Sequence, residues 1–145
     1  MTPRIVDGLL YGADEIVAKW VNKQCGDAAK VDVPCVAIGL VKGQSLAGGI
    51  IFYNQRCNDV QIALANAGVR PVHPRNLARA FGYVFEQLGL SRVTAEIELT
   101  NKRCIKAAEK LGFVREGVKR RAGTDGGHVA VYGLLKKDFK LKEYL

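Results

Sequence analysis

The sequence predicts a single α+β domain, on three observations. Three segments carry apolar residues at helical spacing, and short apolar or alternating runs of strand length surround them. No Pro-, Ser- or charge-rich linker divides the chain. At 145 residues and 48% hydrophobic content, it is the size of one domain and can fill one core.

The elements follow in order. One strand is expected near the N-terminus. Ile16, Val17, Trp20 and Val21 then form one stripe of a helix from about Ala13 to Gln24, stopped by Gly26 and Asp27. Val33–Val41, Leu46–Tyr53 and Val60–Asn66 read as an antiparallel meander turning at Lys42–Ser45 and Gln55–Asp59. Leu77, Ala80, Phe81, Val84, Phe85 and Leu88 make a full helical stripe, with Pro74 suited to its first turn and Gly89 to the residue past its end. Arg92–Leu99 alternates as a strand. Thr100 or Asn101 can cap the next helix, whose apolar face is Cys104, Ile105, Ala108 and Leu111 and whose stop is Gly112. Phe113–Arg120 and Val129–Leu135 read as two strands joined by a Gly-rich turn, before a short charged tail.

Composition narrows the function classes. The longest apolar stretches, such as Val33–Val41, are too short to span a bilayer, and the first residues lack the pattern of a secretory signal, so no membrane role is expected. Four scattered cysteines with no C-x-x-C pair point to a reducing, cytoplasmic setting; with only two histidines, no metal site is expected. The +8 net charge suits an anion: a nucleotide-containing cofactor, a nucleic acid or an acidic partner. Plain solubility with a basic tail is the other reading.

The stretch YVFEQLGLSRVTAEIELTNKRCIKAAEKLGFVREGVKRRA, followed by VAVYGLL, carries a more specific signal. It resembles the GNAT superfamily of N-acetyltransferases, particularly the ribosomal-protein alanine N-acetyltransferase branch and small phage-encoded members. That branch reads N-x-x-S-x-x-(V/L)-x-E-K-L-G-F-x-x-E-G, and Asn101 through Gly117 follows it almost position for position. The resemblance implies one GNAT-like domain over residues 1–145, with a mixed central sheet of about six or seven strands flanked by helices. It implies an acetyl group moved from acetyl-coenzyme A to a primary amine by direct attack. In the family, two neighbouring strands part just before the helix that Asn101 opens here, and the gap receives the pantetheine.

One departure concerns the phosphates. The family cradles them with Arg/Gln-x-x-Gly-x-Gly/Ala at a helix start, using bare amides and the helix dipole. Here that loop falls at Gly68–His73, with Pro71 and His73 where glycines are expected. Proline has no N–H to donate. Arg70, His73, Arg75 and Arg79 instead concentrate positive charge there, and guanidinium groups can take the place of the amides. The cofactor-binding set so implied is Arg70, Val72, His73, Arg75, Asn76, Asn101 and Cys104. A solvated rim, or a patch touching nucleic acid, are the competing readings.

The chemistry needs a base for the amine proton, a polar group for the oxyanion and an acid for the thiolate. Glu96, five residues before Asn101, stands where the ribosomal branch has its general base, and Glu98 shares its face. Either is a base if it lines a half-buried cleft, and plain surface if it faces solvent. The family's frequent acid, a Tyr seven residues after the Asn, is Ala108 here. Cys104, at the common Ser position, is a weak donor or a small buried hydrophobe. Tyr132 is a further candidate, or core.

Three functional readings follow: the N-acetyltransferase, a catalytically silent GNAT-fold interaction protein, and a basic nucleic-acid-binding protein. The basic residues do not interleave with aromatics, and no helix-turn-helix or zinc pattern appears, which counts against the last. The acceptor is open among protein N-termini, lysines and small-molecule amines, because the loops near Tyr11–Asp14 and Ala122–Gly127 carry no recognisable code. A homodimer is equally open.

Overall fold

The computed structural model describes residues 2–25, 31–66 and 74–145. Eight strands and three α-helices occur among them: β1 (Arg4–Val6), β2 (Leu9–Tyr11), α1 (Asp14–Cys25), β3 (Cys35–Lys42), β4 (Ser45–Arg56), β5 (Asp59–Asn66), α2 (Pro74–Gly82), β6 (Arg92–Glu98), α3 (Lys102–Leu111), β7 (Val114–Lys119) and β8 (Val129–Leu135). They form one mixed sheet in the order β1-β2-β3-β4-β5-β6-β8-β7. Only β5 and β6 pair in parallel; the other neighbours are antiparallel. The expected α+β domain is present, with eight strands in place of six or seven.

The extra strand lies at the N-terminus, where a hairpin replaces the single expected strand. Asp7 (φ 52°) and Gly8 (φ 81°) both take positive φ at its turn. An Asp-Gly pair accommodates that conformation, whose twist suits a two-residue hairpin.

Strand alternation sorts side chains onto two faces. Ala37, Ile51 and Ala65 meet Val17 and Val21 of α1 and Ala13 just before it. Ile38, Ile50, Phe52, Ile62, Val93, Ala95, Ile97 and Tyr132 face α2 and α3, through Ala78, Phe81, Ile105 and Ala108. Helix α1 packs on β3, β4 and β5. It comes close because its floor is a cross-strand glycine pair, Gly39 opposite Gly49. A Cβ on Gly49 would stand 2.7 Å from Val21 Cγ2, and one on Gly39 would stand 3.2 Å from Val17 Cγ2.

The long stripe Leu77–Leu88 is not one regular helix. After α2 the chain widens into a π-helical turn, Tyr83–Gln87, closed by Leu88 N–H donating to Tyr83 O at 2.9 Å. Helix α3 starts and stops at the expected residues. Asn101 Oδ1 accepts from Cys104 N–H at 3.1 Å, so Asn101 and not Thr100 is the cap. Gly112 leaves the helix at φ 110°, and Phe113 N–H returns to Ala108 O at 3.1 Å.

The charged tail proves to be part of the core. Phe139 is fully buried, its ring 5.1 Å from Phe81 and 5.6 Å from Phe85, while Lys140 N–H donates to Leu111 O at 2.9 Å. Among the described residues, no helix is long and apolar enough to cross a membrane, and no cluster could hold a metal. Cys35, Cys57 and Cys104 are not joined in disulfides.

Candidate functional site

The sheet opens between β5 and β6. The β5–β6 ladder runs Asp59↔Arg92, Val60↔Val93, Gln61↔Thr94 and Ile62↔Ala95, and there it ends. Both strands run on, each held by its outer neighbour: β5 by β4 as far as Gly48↔Asn66, and β6 by β8 as far as Glu98↔Val129. They therefore part. α3 begins just beyond the end of β6, so its start lies at the open end of the gap, while the first turns of α2 reach the β1–β2 turn through Asn76 and Arg79. The N-terminal amides and dipole of α3 favour negative charge at the gap.

Glu96 is the first β6 residue past the last pair. Val93, Ala95 and Ile97 enter the core, so Thr94, Glu96 and Glu98 face the other side. α1 packs on β3, β4 and β5, and among the described residues no helix covers the same face over β6. The cleft is accordingly shallow: Glu96 faces solvent, its side chain 29% accessible. Its carboxylate is held from two sides. Gln61 Nε2 donates to Oε2 at 2.9 Å, and Lys119 Nζ stands 3.0 Å from Oε1. Gln61 is itself tied, accepting from Asn54 Nδ2 at 2.7 Å. Tyr53 lies on the same face, and its hydroxyl pKa is raised, first by burial and then by the Glu96 charge.

Glu98 does different work. Its Oε1 accepts from both the N–H and the hydroxyl of Thr124, each at 3.1 Å, which fastens the Gly-rich loop between β7 and β8 to β6. Below Glu96 the polar face continues as an ion-paired row. Arg92 makes a two-pronged bond to Glu116 (Nη1–Oε2 2.9 Å, Nη2–Oε1 2.6 Å), and its Nε stands 3.5 Å from Asp59 Oδ1. Thr94 Oγ1 donates to Asp59 at 2.8 Å. The Arg92 hydrogen bonds, more than its charge, hold the Glu116 carboxyl below its ordinary pKa.

The structure divides the residues expected to do chemistry. Glu96 and Glu98 share the open face. Tyr132 lies on the opposite face, 1% exposed, its hydroxyl accepting from Arg115 Nη2 at 2.9 Å. Cys104 also packs toward the helical side, half-buried against the core. Ala108 is buried beneath α3.

Of the expected cofactor contacts, Arg70, Val72 and His73 lie outside the described residues, as does Pro71. Arg75 is exposed in the first turn of α2. Asn76 reaches back to the hairpin, where a Cβ on Gly8 would stand 3.0 Å from its Nδ2. Arg79 is drawn the same way, Nη1 standing 3.4 Å from Asp7 O and 3.9 Å from its carboxylate. Asn101 spends its side-chain oxygen on the cap. Gln61 and Lys119, which clasp Glu96, and Asn54, which holds Gln61, are site residues that the sequence reading does not include. Gln61 was the findable one, a polar residue in the apolar run Val60–Asn66.

Solved structures share this fold. A T. thermophilus structure named as an acetyltransferase superposes with a TM-score of 0.65 at 25% identity, over 77% of this chain. The present chain covers 65% of that protein's length. Mycobacterium smegmatis RimJ, solved in complex with CoA-disulfide, gives a TM-score of 0.69 at 14% identity, over 99% of this chain and 91% of its own. The ribosomal-protein-S5-alanine acetyltransferase from Vibrio fischeri gives 0.69 at 11% identity, over 97% and 100%. The fold is that of GNAT-family acetyltransferases. No family model matches the sequence, and no curated protein does.

Proposed function

We propose that residues 1–145 form one acetyl-coenzyme A-dependent N-acetyltransferase domain acting on a primary amine in the cytoplasm. The parting of β5 and β6 after Ile62↔Ala95, with Glu96 as the next residue, carries this reading. The gap fits a pantetheine arm, because extended main chain flanks it on both sides and the start of α3 stands at its open end. Main chain of residues 63–66 and 96–98 would hold the arm. Arg75, with Arg70, Val72 and His73 shortly before it in the chain, would meet the phosphates, beside the Asn101 end of α3.

When bound, the cosubstrate supplies an acetyl thioester. The amine enters from the open face. Glu96, steadied by Gln61, takes the proton that the attacking nitrogen loses, directly or through one water. Nitrogen–carbon bond formation is balanced by departure of the sulfur as thiolate, which takes up a proton from solvent. Ala108 has no proton to give, and Tyr132 and Cys104 stand on the other face. Glu98 acts on the acceptor side by fixing the loop that Thr124 belongs to. The acceptor class is a protein N-terminus, a lysine or a small polyamine.

Calorimetric titration with acetyl-coenzyme A, together with Arg75→Ala, tests the reading. Micromolar binding that weakens in the variant supports it; no heat at millimolar cosubstrate overturns it. A second reading, a GNAT-fold protein retained for interaction alone, is favoured by Ala108 and by the inward turn of Tyr132. Cosubstrate binding without acetylation across a panel of amines would select it.

A further inference from the structure

Helix α3 has a cationic face that points away from the core. Ile105 and Ala108 enter the core, and Cys104 and Leu111 pack beside them. Lys102, Arg103, Lys106 and Lys110 are exposed on the opposite side, within about 100° of arc at 3.6 residues per turn. Lys102, Lys106 and Lys110 succeed one another at one turn each, about 6 Å of rise apart. Lys140, whose N–H donates to Leu111 O, adds a fifth exposed cation at the helix end. Glu109 is the one acidic residue within α3. Among the described residues, none of these five cations forms an ion pair within 4.0 Å.

A face selected only for solubility would not be built this way. The first turn of α3 contains no acid and two cations, against the helix dipole. Lys102–Lys106 and Lys106–Lys110 are like-charge neighbours at i,i+4, which weaken a helix. On α1, by contrast, Asp14 and Glu15 occupy the first turn and Lys23 the last, as the dipole favours. The repulsion along α3 is relieved when a polyanion lies against it. A duplex nucleic acid offers one negative charge per about 1.7 Å of axis, so the roughly 12 Å from Lys102 to Lys110 faces about seven phosphate charges.

We propose that the cationic face of α3, continued by Lys140, is a docking surface for the phosphate backbone of double-stranded nucleic acid. The contacts are to phosphates and carry no sequence preference. Lys102 and Arg103 stand near the gap between β5 and β6, whereas Lys106, Lys110 and Lys140 lie one to two turns beyond it. The surface is thus separable from acetyl transfer.

The test is fluorescence anisotropy with a labelled, mixed-sequence 20-bp RNA duplex, titrated between about 50 and 200 mM KCl. Three to five phosphate contacts give a log–log salt slope of about −3 to −5. The double variant Lys106→Gln/Lys110→Gln is expected to flatten that slope by about two and weaken binding at 100 mM at least tenfold. Lys106→Arg/Lys110→Arg keeps it. Lys19→Gln/Lys23→Gln removes the same charge from exposed positions on α1, across the sheet, and is expected to change binding less than twofold. Circular dichroism and the urea midpoint report that each variant is folded. A slope no steeper than −1, or equal loss in the α1 variant, overturns the proposal. Competition by poly-glutamate matching that of the duplex also overturns it, and points to an acidic protein instead.

Discussion

Gln61 donates to Glu96 across the point where two parallel strands part, Nε2 to Oε2 at 2.9 Å. The amide cannot turn around without loss, because its oxygen already accepts from Asn54 Nδ2. Lys119 grips the other carboxylate oxygen. The carboxylate is thereby held from both flanks, on the open face of the sheet beside the parting of β5 and β6.

On the proposed chemistry, Glu96→Gln is expected to lower kcat about 10²- to 10⁴-fold, with acetyl-coenzyme A binding nearly unchanged. Gln61→Ala leaves the base but loosens its aim, and about tenfold is expected. Initial rates with a shared acceptor, beside calorimetric binding, separate the two effects. Equal rates for Glu96→Gln and the wild type would remove Glu96 as the base.

The Arg92–Glu116 fork makes stability depend on acid pH. Glu116 has its folded pKa lowered, so the pair stabilises the fold above the ordinary carboxyl value of 4.5. That contribution is lost as pH falls through the lower folded value. Urea midpoints measured from pH 7 down to pH 3 are expected to fall below about pH 4.5, and Glu116→Gln to flatten the fall. The pair is partly exposed, so salt should weaken the effect.

Gly112→Ala is expected to destabilise by more than a usual glycine substitution, roughly 1–3 kcal/mol or above. The residue sits at φ 110°, and a Cβ there would run into the backbone oxygen of Asp138. Backbone cannot swing aside as a side chain can. Chemical denaturation of the variant checks the magnitude.

Phe139→Ala should cost about 3–5 kcal/mol, the range for removing a buried aromatic. Its ring completes a cluster with Phe81 and Phe85. A substitution costing less than about 1 kcal/mol, seen by urea unfolding, would mean the tail adds little to the core.

Legibility in the sequence tracked periodicity and caps. The α3 block was readable because Asn101 and Gly112 mark both ends by different chemistry, one a side-chain acceptor and the other a positive φ. Glu96 and Glu98 could be put on one face because strands alternate. The N-terminal hairpin escaped, although Asp7–Gly8 is its turn signal, because three-residue strands leave too little alternation to see. The π-helical turn escaped since Leu77–Leu88 satisfies one stripe whether or not a residue is inserted. Phe139 escaped because one apolar residue among lysines has no period. The depth of the cleft at Glu96 depends on how far α1 reaches across the sheet, which no local pattern encodes.

The parallel ladder of four residue pairs also separates what can form early from what must form late. Strands β1 to β5 pair in chain order, and β6 pairs with β8 and not with β7. The β3–β4–β5 meander closes through tight turns, whereas the seam between β5 and β6 must wait for the whole crossover through α2. The N-terminal half leaves the ribosome first and presents Asp59–Ile62 as an unfinished edge. Until Arg92–Ala95 arrives to cover it, the nascent protein is most exposed to wrong partners at the place where the finished one opens.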